Sequence, residues 1–393
     1  MTRLSRRRFL AGSAAGLAAL GLGRRAGLAR PPLPGPDNSG IKHIILAMVE
    51  NRSFDHLLGW LPSADAMQAG LVYQDAAGGS HPTWALAPDF QGCGYGEPDH
   101  SWEGGRIEYN GGACDGWLLA NDLFSIGYYR QQDLPFLGRA ALDWTVCDRY
   151  FSSIMGPTYP NRIYQHCGVT DRIDNSPSPS TLPTIWDRLA AAKISHKYYF
   201  SDLPFLALWG TKYAGITRPY AEFLADCATG ELPAVSFVDP RFAGADLGLS
   251  GDYHPYSDVR TGERWLYEVY RAVTTSPKWG HIVLVISFDE WGGFFDHVVP
   301  PSAPDVDPRF KLCGFRVPAL VISPFARRGH VASGIYDHTS VLKMIEWRWN
   351  LAPLSVRDAA ANNLAEVLDF AAKRRFAPDY SVPPHSSPPC LPG

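Results

Sequence analysis

Two pairs of acid or amide residues, Glu50-Asn51 and Asp289-Glu290, stand where short apolar runs stop. They offer only oxygen donors, the set that suits a hard divalent cation such as Ca²⁺ or Mg²⁺ and leaves Zn²⁺ open. Carboxylates crowded at one edge repel one another without a cation, so these pairs point to one bound divalent ion. Taken singly, each reads more plainly as a solvated turn residue. A hydroxyl stands in Gly156-Pro157-Thr158-Tyr159-Pro160-Asn161-Arg162, which has the form of a helix start with Thr158 near the cap. Free N–H groups and the positive helix end attract a phosphate there and favour an alkoxide. The plainer role for Thr158 is a cap. Histidines supply the third element: His100 in Pro98-Asp99-His100, His254 in Asp252-Tyr253-His254, His297 in Phe295-Asp296-His297 and His338 in Tyr336-Asp337-His338. Imidazole can hold phosphoryl oxygens or protonate a leaving alcohol.

The elements that must position these groups are short apolar runs ending at acidic or turn residues, at 41–49, 234–238, 282–288 and 317–322. Strands that read as nearly continuous hydrophobe are covered on both faces, which predicts an α/β fold with a mainly parallel central sheet flanked by helices. Helical patterns lie between them, around 184–192, 263–274 and 339–349. In such sheets ligands bind beyond the carboxyl ends of the strands, where Glu50, Asn51, Asp289 and Glu290 would project. Loop insertions are expected to form a small cap. The chain has no GxSxG elbow, no GxxxxGK[ST] loop and no HExxH, so lipase, P-loop and zincin readings lack their central residues.

With 393 residues, 46% of them hydrophobic, the chain can bury a sizeable core, and a formal charge of -3 gives no reason to expect nucleic acid as a partner. The cysteines show no CxxC spacing, so a zinc–thiolate structure is not expected; export would permit a disulfide whose connectivity stays open. Ser5-Arg6-Arg7-Arg8-Phe9-Leu10 precedes a short apolar stretch and resembles a twin-arginine export signal. The expected organisation is a signal over 1–30, a Pro-rich spacer over 31–40 and a single catalytic domain over 41–393. The twin-arginine machinery is then a partner, the mature protein has no transmembrane segment, and its location is periplasmic or secreted.

Glu50-Asn51-Arg52-Ser53-Phe54-Asp55-His56, Cys147-Asp148-Arg149-Tyr150-Phe151, the Thr158 segment, Leu232 to Pro240, Asp289-Glu290-Trp291-Gly292-Gly293-Phe294-Phe295-Asp296-His297 and Tyr336-Asp337-His338-Thr339 follow one another in order. Together they resemble the bacterial phosphoesterase family that contains phosphatidylcholine-type phospholipases C and an acid phosphatase. The resemblance implies an alkaline-phosphatase-like fold and one metal held by Glu50, Asn51, Thr158, Asp289 and Glu290. It also implies a covalent phosphothreonine intermediate, with His100 and His254, and further His297 and His338, serving the phosphate or the proton transfers. Trp291 departs from the family, which commonly has His after Asp-Glu. The substrate is expected to be a phosphodiester, phospholipids first, with a small phosphate monoester as the acid-phosphatase alternative. Trp102, Trp117, Tyr128, Tyr129 and Trp291 could form a surface for a quaternary ammonium. A binding protein without turnover is the third reading, and it would need no nucleophile.

The export reading makes a direct prediction, because that route reads the arginine pair. Arg6→Lys combined with Arg7→Lys should hold the precursor in the cytoplasm, as followed by cell fractionation; normal export of the double variant would remove the assignment.

Overall fold

From His43 to Val49 every residue but the first is buried, and this strand lies in the interior of the main sheet. In the computed structural model, which describes residues 32–390, the sheet has eight strands. They are β1 (His43–Val49), β2 (Thr145–Cys147), β3 (His196–Phe200), β4 (Thr217–Pro219), β5 (Val235–Val238), β6 (Ile282–Phe288), β7 (Ala319–Ile322) and β8 (His330–Ala332). Their order is β8-β2-β7-β6-β1-β5-β3-β4. β6, β1, β5, β3 and β4 run parallel, whereas β7 is antiparallel to both β6 and β2. That reversal has a local cause. The chain leaving β6 returns through loops containing only a short 3-10 turn at Pro308–Phe310, without the crossover helix that a parallel return requires. The proposed export signal lies outside the described residues.

Helices flank this sheet. Those used below are α1 (Trp102–Tyr109), α2 (Thr158–Cys167), α3 (Ile185–Ala191), α4 (Val259–Thr275) and α5 (His338–Trp349). α4 buries Val259, Leu266, Val269, Tyr270 and Val273, a stripe at helical spacing, and Asp258 caps it by accepting from Arg260 N. α5 starts with a reciprocal box in which Asp337 accepts from Thr339 N while Ser340 accepts from Asp337 N.

Between β1 and β2 the chain inserts α1 and small two-stranded ladders, Val72–Gln74 with Ser80–Pro82 and Trp84–Ala85 with Gly127–Tyr128. This cap has an apolar cluster of its own, with Tyr73, Trp117, Ile126 and Tyr128 packed on Trp291, Phe295 and Phe315. Beneath it lies a buried ionic knot. Arg316 donates from Nε to Asp296 Oδ1 at 2.9 Å and from Nη2 to Asp55 Oδ1 at 3.0 Å, and all three residues are fully buried. His297 belongs to this knot, its Nδ1 on Asp55 and its Nε2 3.1 Å from Asp65 Oδ1.

Removing the cation would leave two buried carboxylates facing each other, with His297 on Asp55 as the remaining counter-group. Arg316→Met should therefore cost about 3–5 kcal/mol in urea unfolding, and a loss below about 1 kcal/mol would show that the knot is not held by charge.

Candidate active site

Strand register brings the acids together. Val49 pairs with Phe288 and Ala47 with Val238, so the residues just past β1, β6 and β5, namely Glu50, Asp289 and Asp239, emerge at one carboxyl edge. Asp289 N donates to Val49 O at 3.0 Å and Glu50 N to Asp252 O at 2.8 Å, which locks the strand ends to each other and to a further acid. Asp289 Oδ1 accepts from Asn51 N at 3.2 Å and from Glu290 N at 2.7 Å. Asn51 has φ +56°, a conformation Asn tolerates better than most side chains. Gly292, at φ +65°, lies so close above it that a Cβ there would come 2.1 Å from Asn51 O.

Thr158 is the first residue of α2 and Pro157 is the N-cap, so the Thr158 hydroxyl does not cap the helix. It donates instead to Asn51 Oδ1 at 3.3 Å. The free helix end is served by other groups, with Tyr159 N donating to Asn175 Oδ1 at 2.8 Å. Asn161 grips the preceding loop, accepting from Ile154 N at 3.0 Å and donating to Gly156 O at 2.7 Å. Four residues after Thr158, and so on the same helix face, Arg162 reaches Asp289 Oδ2 at 3.1 Å, Asp239 Oδ1 at 3.2 Å and Glu50 Oε1 at 3.4 Å.

One guanidinium does not balance these acids. Glu50, Asp239, Asp252, Asp289 and Glu290 are all buried. Burial, and then neighbouring carboxylates, pushes the Glu50 and Glu290 carboxyls well above the usual range. Burial lifts Asp252 to about 6, and it raises Asp289 and Asp239 against the pull of Arg162. Glu290 Oε1 and Asp252 Oδ2 are buried without a hydrogen-bond partner. Surplus negative charge, orphaned carboxylate oxygens, an amide oxygen and a hydroxyl are the donor chemistry of a hard divalent cation, so the residues present fit such an ion. Among the described residues two other groups have metal-ligand chemistry, Asp55 with Asp296 and His297, and Glu97 with His100 and His254. In the first, Arg316 already supplies the positive charge.

The expected histidines separate into three places. His100 Nδ1 donates to Pro98 O at 2.9 Å, which leaves Nε2 to accept from Asn51 Nδ2 at 3.2 Å, so His100 meets the acid cluster through Asn51. His254 Nδ1 donates to Pro255 O at 3.0 Å and its Nε2 lies 3.3 Å from Glu97 Oε1. Burial lowers the His254 pKa and Glu97 opposes that shift. His254 also sits in a strained loop, because Tyr253 and Tyr256 have φ of +77° and +74°, a cost of about 1–3 kcal/mol each. His338 stands behind the acids, with Nε2 donating to the Asp289 main-chain oxygen at 2.7 Å and burial holding its pKa down at about 4. It fixes a strand end and faces no open space. His297 is placed elsewhere, both ring nitrogens committed to the Arg316 knot.

The aromatic cage expected from Trp102, Trp117, Tyr128, Tyr129 and Trp291 does not form. Trp117, Tyr129 and Trp291 are fully buried and Tyr128 nearly so, and Trp291 donates Nε1 to Glu108 Oε2 at 2.7 Å inside the cap. Trp102 alone of the set borders the adjacent cleft, a space of about 560 Å³ lined also by Glu97, Asp99, His100, Glu103, Pro157, Asp174 and Asn175. Glu97, Asp239 and Asp252 were missed as site residues. Asp239 ends a strand as Glu50 does, and Asp252 sits two residues before His254, so both carried a signal, whereas Glu97 lies in a glycine-rich loop with none.

A family model described as the Phosphoesterase family matches residues 41–352. The chain belongs to the Phosphoesterase family. Phospholipase C B of Mycobacterium tuberculosis is 32% identical, over 94% of this chain and 86% of that protein. Non-specific phospholipase C6 of Arabidopsis thaliana is 30% identical, over 88% of this chain and 75% of that protein. Among solved structures, the PsFucS1 sulfatase from Pseudoalteromonas sp. aligns with a TM-score of 0.46 at 9% identity, covering 87% of this chain and 78% of that one. A member of the Phosphoesterase family is an enzyme that hydrolyses phosphoric ester bonds, and this phosphoesterase gathers its acids, its hydroxyl and two of its histidines at one sheet edge.

Gly292 tests how tightly that edge is built. In this phosphoesterase Gly292→Ala places a methyl against Asn51 O and adds left-handed strain of about 1–2 kcal/mol. Turnover should fall about 100-fold through misplacement of Asn51, with a matching loss of stability in thermal unfolding; a variant with full turnover would show that Asn51 need not be held there.

Proposed function

We propose that this phosphoesterase is an exported, metal-dependent, phospholipase C-like enzyme that cleaves phosphodiesters through a phosphothreonine intermediate on Thr158. The observation that carries the reading is the Thr158 hydroxyl, free of any capping bond, directed by Asn51 at 3.3 Å beside buried acids that Arg162 does not neutralise. Glu50, Asn51, Asp289, Glu290 and Thr158 would hold one divalent ion; its identity among Ca²⁺, Mg²⁺ and Zn²⁺ is left to measurement. Bound there, such an ion supplies Lewis acidity and lowers the pKa of a coordinated hydroxyl.

The chain's own groups then account for the steps. Asn51 orients Thr158 Oγ1 for in-line attack on phosphorus; the hydroxyl proton passes to a carboxylate of the buried acid cluster, the Oγ1–P bond forms, the bond to the leaving alcohol breaks, and the departing oxygen takes a proton from His254, while His100 holds Asn51 in place. Glu97 stabilises the charged form of His254 across 3.3 Å. Water next attacks phosphorus and gives its proton to His254, which the first step left neutral; the P–Oγ1 bond breaks and Thr158 takes back the proton held by the acid cluster. The positive end of the α2 dipole stabilises negative charge on the phosphoryl oxygens. His338 and His297 take no part in proton transfer, since one supports Asp289 and the other belongs to the Arg316 knot.

Two features support the substrate class. Arg162 is committed to Glu50, Asp239 and Asp289, so it is not available to hold the second charge of a monoester dianion. The adjacent cleft presents Glu97, Asp99, Glu103 and Asp174, an acidic lining that suits a cationic headgroup such as the quaternary ammonium of a phosphatidylcholine-like lipid by charge, since Arg106 already covers the Trp102 ring. Export is supported by the arginine pair and by the Cys93–Cys390 disulfide, a bond that persists in oxidising compartments. Among the described residues no helix is long and apolar enough to cross a membrane.

The deciding assay compares p-nitrophenyl phosphate, bis-p-nitrophenyl phosphate and p-nitrophenylphosphorylcholine, with and without chelator, and then follows diacylglycerol release from phosphatidylcholine. Thr158→Ala should keep stability within about 1 kcal/mol and lose at least about 10³-fold in turnover. Glu50→Gln should lower bound metal as read by elemental analysis, and Asp174→Asn should raise KM for the choline ester without raising it for the aryl diester, which has no cationic headgroup. Preference for the monoester, with no diacylglycerol formed, would move the assignment to an acid phosphatase; an active Thr158→Ala would remove the covalent mechanism.

A further inference from the structure

Residues 381–390 have no regular secondary structure, yet they lie against the two loops that carry His100 and His254. The side-chain amide of Gln91 stands at the centre of that contact. Its Nε2 is 3.0 Å from Tyr256 O in the His254 loop, 3.0 Å from Ser387 Oγ and 2.8 Å from Pro388 O in the tail. Ser387 Oγ accepts in turn from Asp258 N at 3.0 Å, and Cys390 N donates to Leu247 O at 2.9 Å. Cys390 is then joined covalently to Cys93, in the loop that leads to Glu97 and His100. The tail thus fastens both histidine loops to each other and to itself.

That fastening meets a need. Tyr253 and Tyr256, on either side of His254, hold left-handed backbone that bulky side chains leave unless their surroundings over-determine it. Direct bonds between the loops supply part of the restraint, with Tyr256 N donating to Gln91 O at 2.9 Å and Val259 N to Phe90 O at 3.0 Å. The tail supplies the rest, packed so closely that a Cβ on Gly248 would lie 2.3 Å from Tyr256 O and 3.0 Å from Cys390 Cβ.

We propose that the C-terminal tail is a positioning clamp for the phosphate-site histidines, locked by the Cys93–Cys390 disulfide and acting through Gln91. The proposal rests on the reading above that His100 and His254 serve the phosphate. Gln91, Ser387 and the disulfide are positioning residues, since they reach the site only through the loops. A chain kept in a reducing compartment would retain thiols at Cys93 and Cys390 and an unlocked tail. Oxidation there forms one S–S bond and passes two electrons and two protons to an oxidant such as a disulfide exchange partner, so full activity would follow arrival in an oxidising compartment.

The test uses mature full-length protein. Denatured without reductant it should titrate five thiols, and seven after reduction; seven before reduction would overturn the covalent lock. Turnover of bis-p-nitrophenyl phosphate is then measured below the melting temperature for four forms: oxidised wild type, wild type reduced by a water-soluble phosphine, Cys93→Ser with Cys390→Ser, and Gln91→Ala with its disulfide intact. The phosphine takes oxygen from water as the S–S bond becomes two thiols, and unlike a dithiol it does not strip metal. The last three forms should lose about 10- to 100-fold in kcat with little change in KM, and their pH–kcat profiles should shift. The phosphine should have no further effect on the double serine variant. If the reduced enzyme and Gln91→Ala keep the kcat and pH profile of the oxidised wild type while only the melting temperature falls, the tail is a stabiliser and the clamp is wrong. Full turnover in His254→Ala would instead sink the reading of the site, which separates the two failures.

Discussion

The arrangement depends on negative charge held out of water at the end of a parallel sheet. Glu50, Asp239, Asp252, Asp289 and Glu290 come from strand ends and one loop, and in a buried setting their mutual repulsion is weakly screened. Arg162 counters it and is placed to do so by α2, the helix that begins at Thr158. The same helix therefore sets the Thr158 hydroxyl and the counter-charge one turn apart. Asn161 between them ties the helix start to its loop through Ile154 and Gly156, so neither end of that turn can drift from the strands.

Much of this was legible because buried parallel strands leave an unmistakable trace. The runs that end at Glu50 and Asp289 became β1 and β6, buried almost throughout, and their in-register pairing follows from two hydrophobic strands covered on both faces. β3 was not legible, since His196 and Lys197 open it and its burial is mixed, and β2, β4 and β8 have only three residues each. The antiparallel sense of β7 was also hidden, because a hydrophobic run carries no direction and only the missing crossover helix decides it.

Site residues divide on similar grounds. Glu50, Asn51, Asp289 and Glu290 are one or two peptide bonds from a strand end and so have little freedom to point elsewhere. The histidines have more. His254, His297 and His338 each occur near an aspartate in a turn, yet one faces Glu97, one is drawn to Asp55 and one supports a main-chain oxygen. What separates them is long-range: Arg316 gathers Asp55 and Asp296 into a knot and His297 goes with them. Local sequence cannot carry that information. The aromatic residues fail for the matching reason, since Trp117, Tyr129 and Trp291 are the filling of a cap that must have a core of its own.

Trp291 follows directly on Asp289 and Glu290 yet belongs to the cap: it buries its ring against Phe315 and gives its N–H to Glu108. Glu108 is fully buried and its carboxyl is pushed well up by burial, so the indole and Asn121 supply the polar partners that keep it satisfied. Gly105 of α1 is pressed against the same ring, where a Cβ would come 2.8 Å from it. Trp291, the residue after Asp289 and Glu290, thus joins the sheet edge to the cap, while His100 and His254 stand on loops from the cap and the opposite side. Those loops are irregular and strained, and their hold on His100 and His254 comes from hydrogen bonds and packing distant in sequence rather than from the strands that fix the acids.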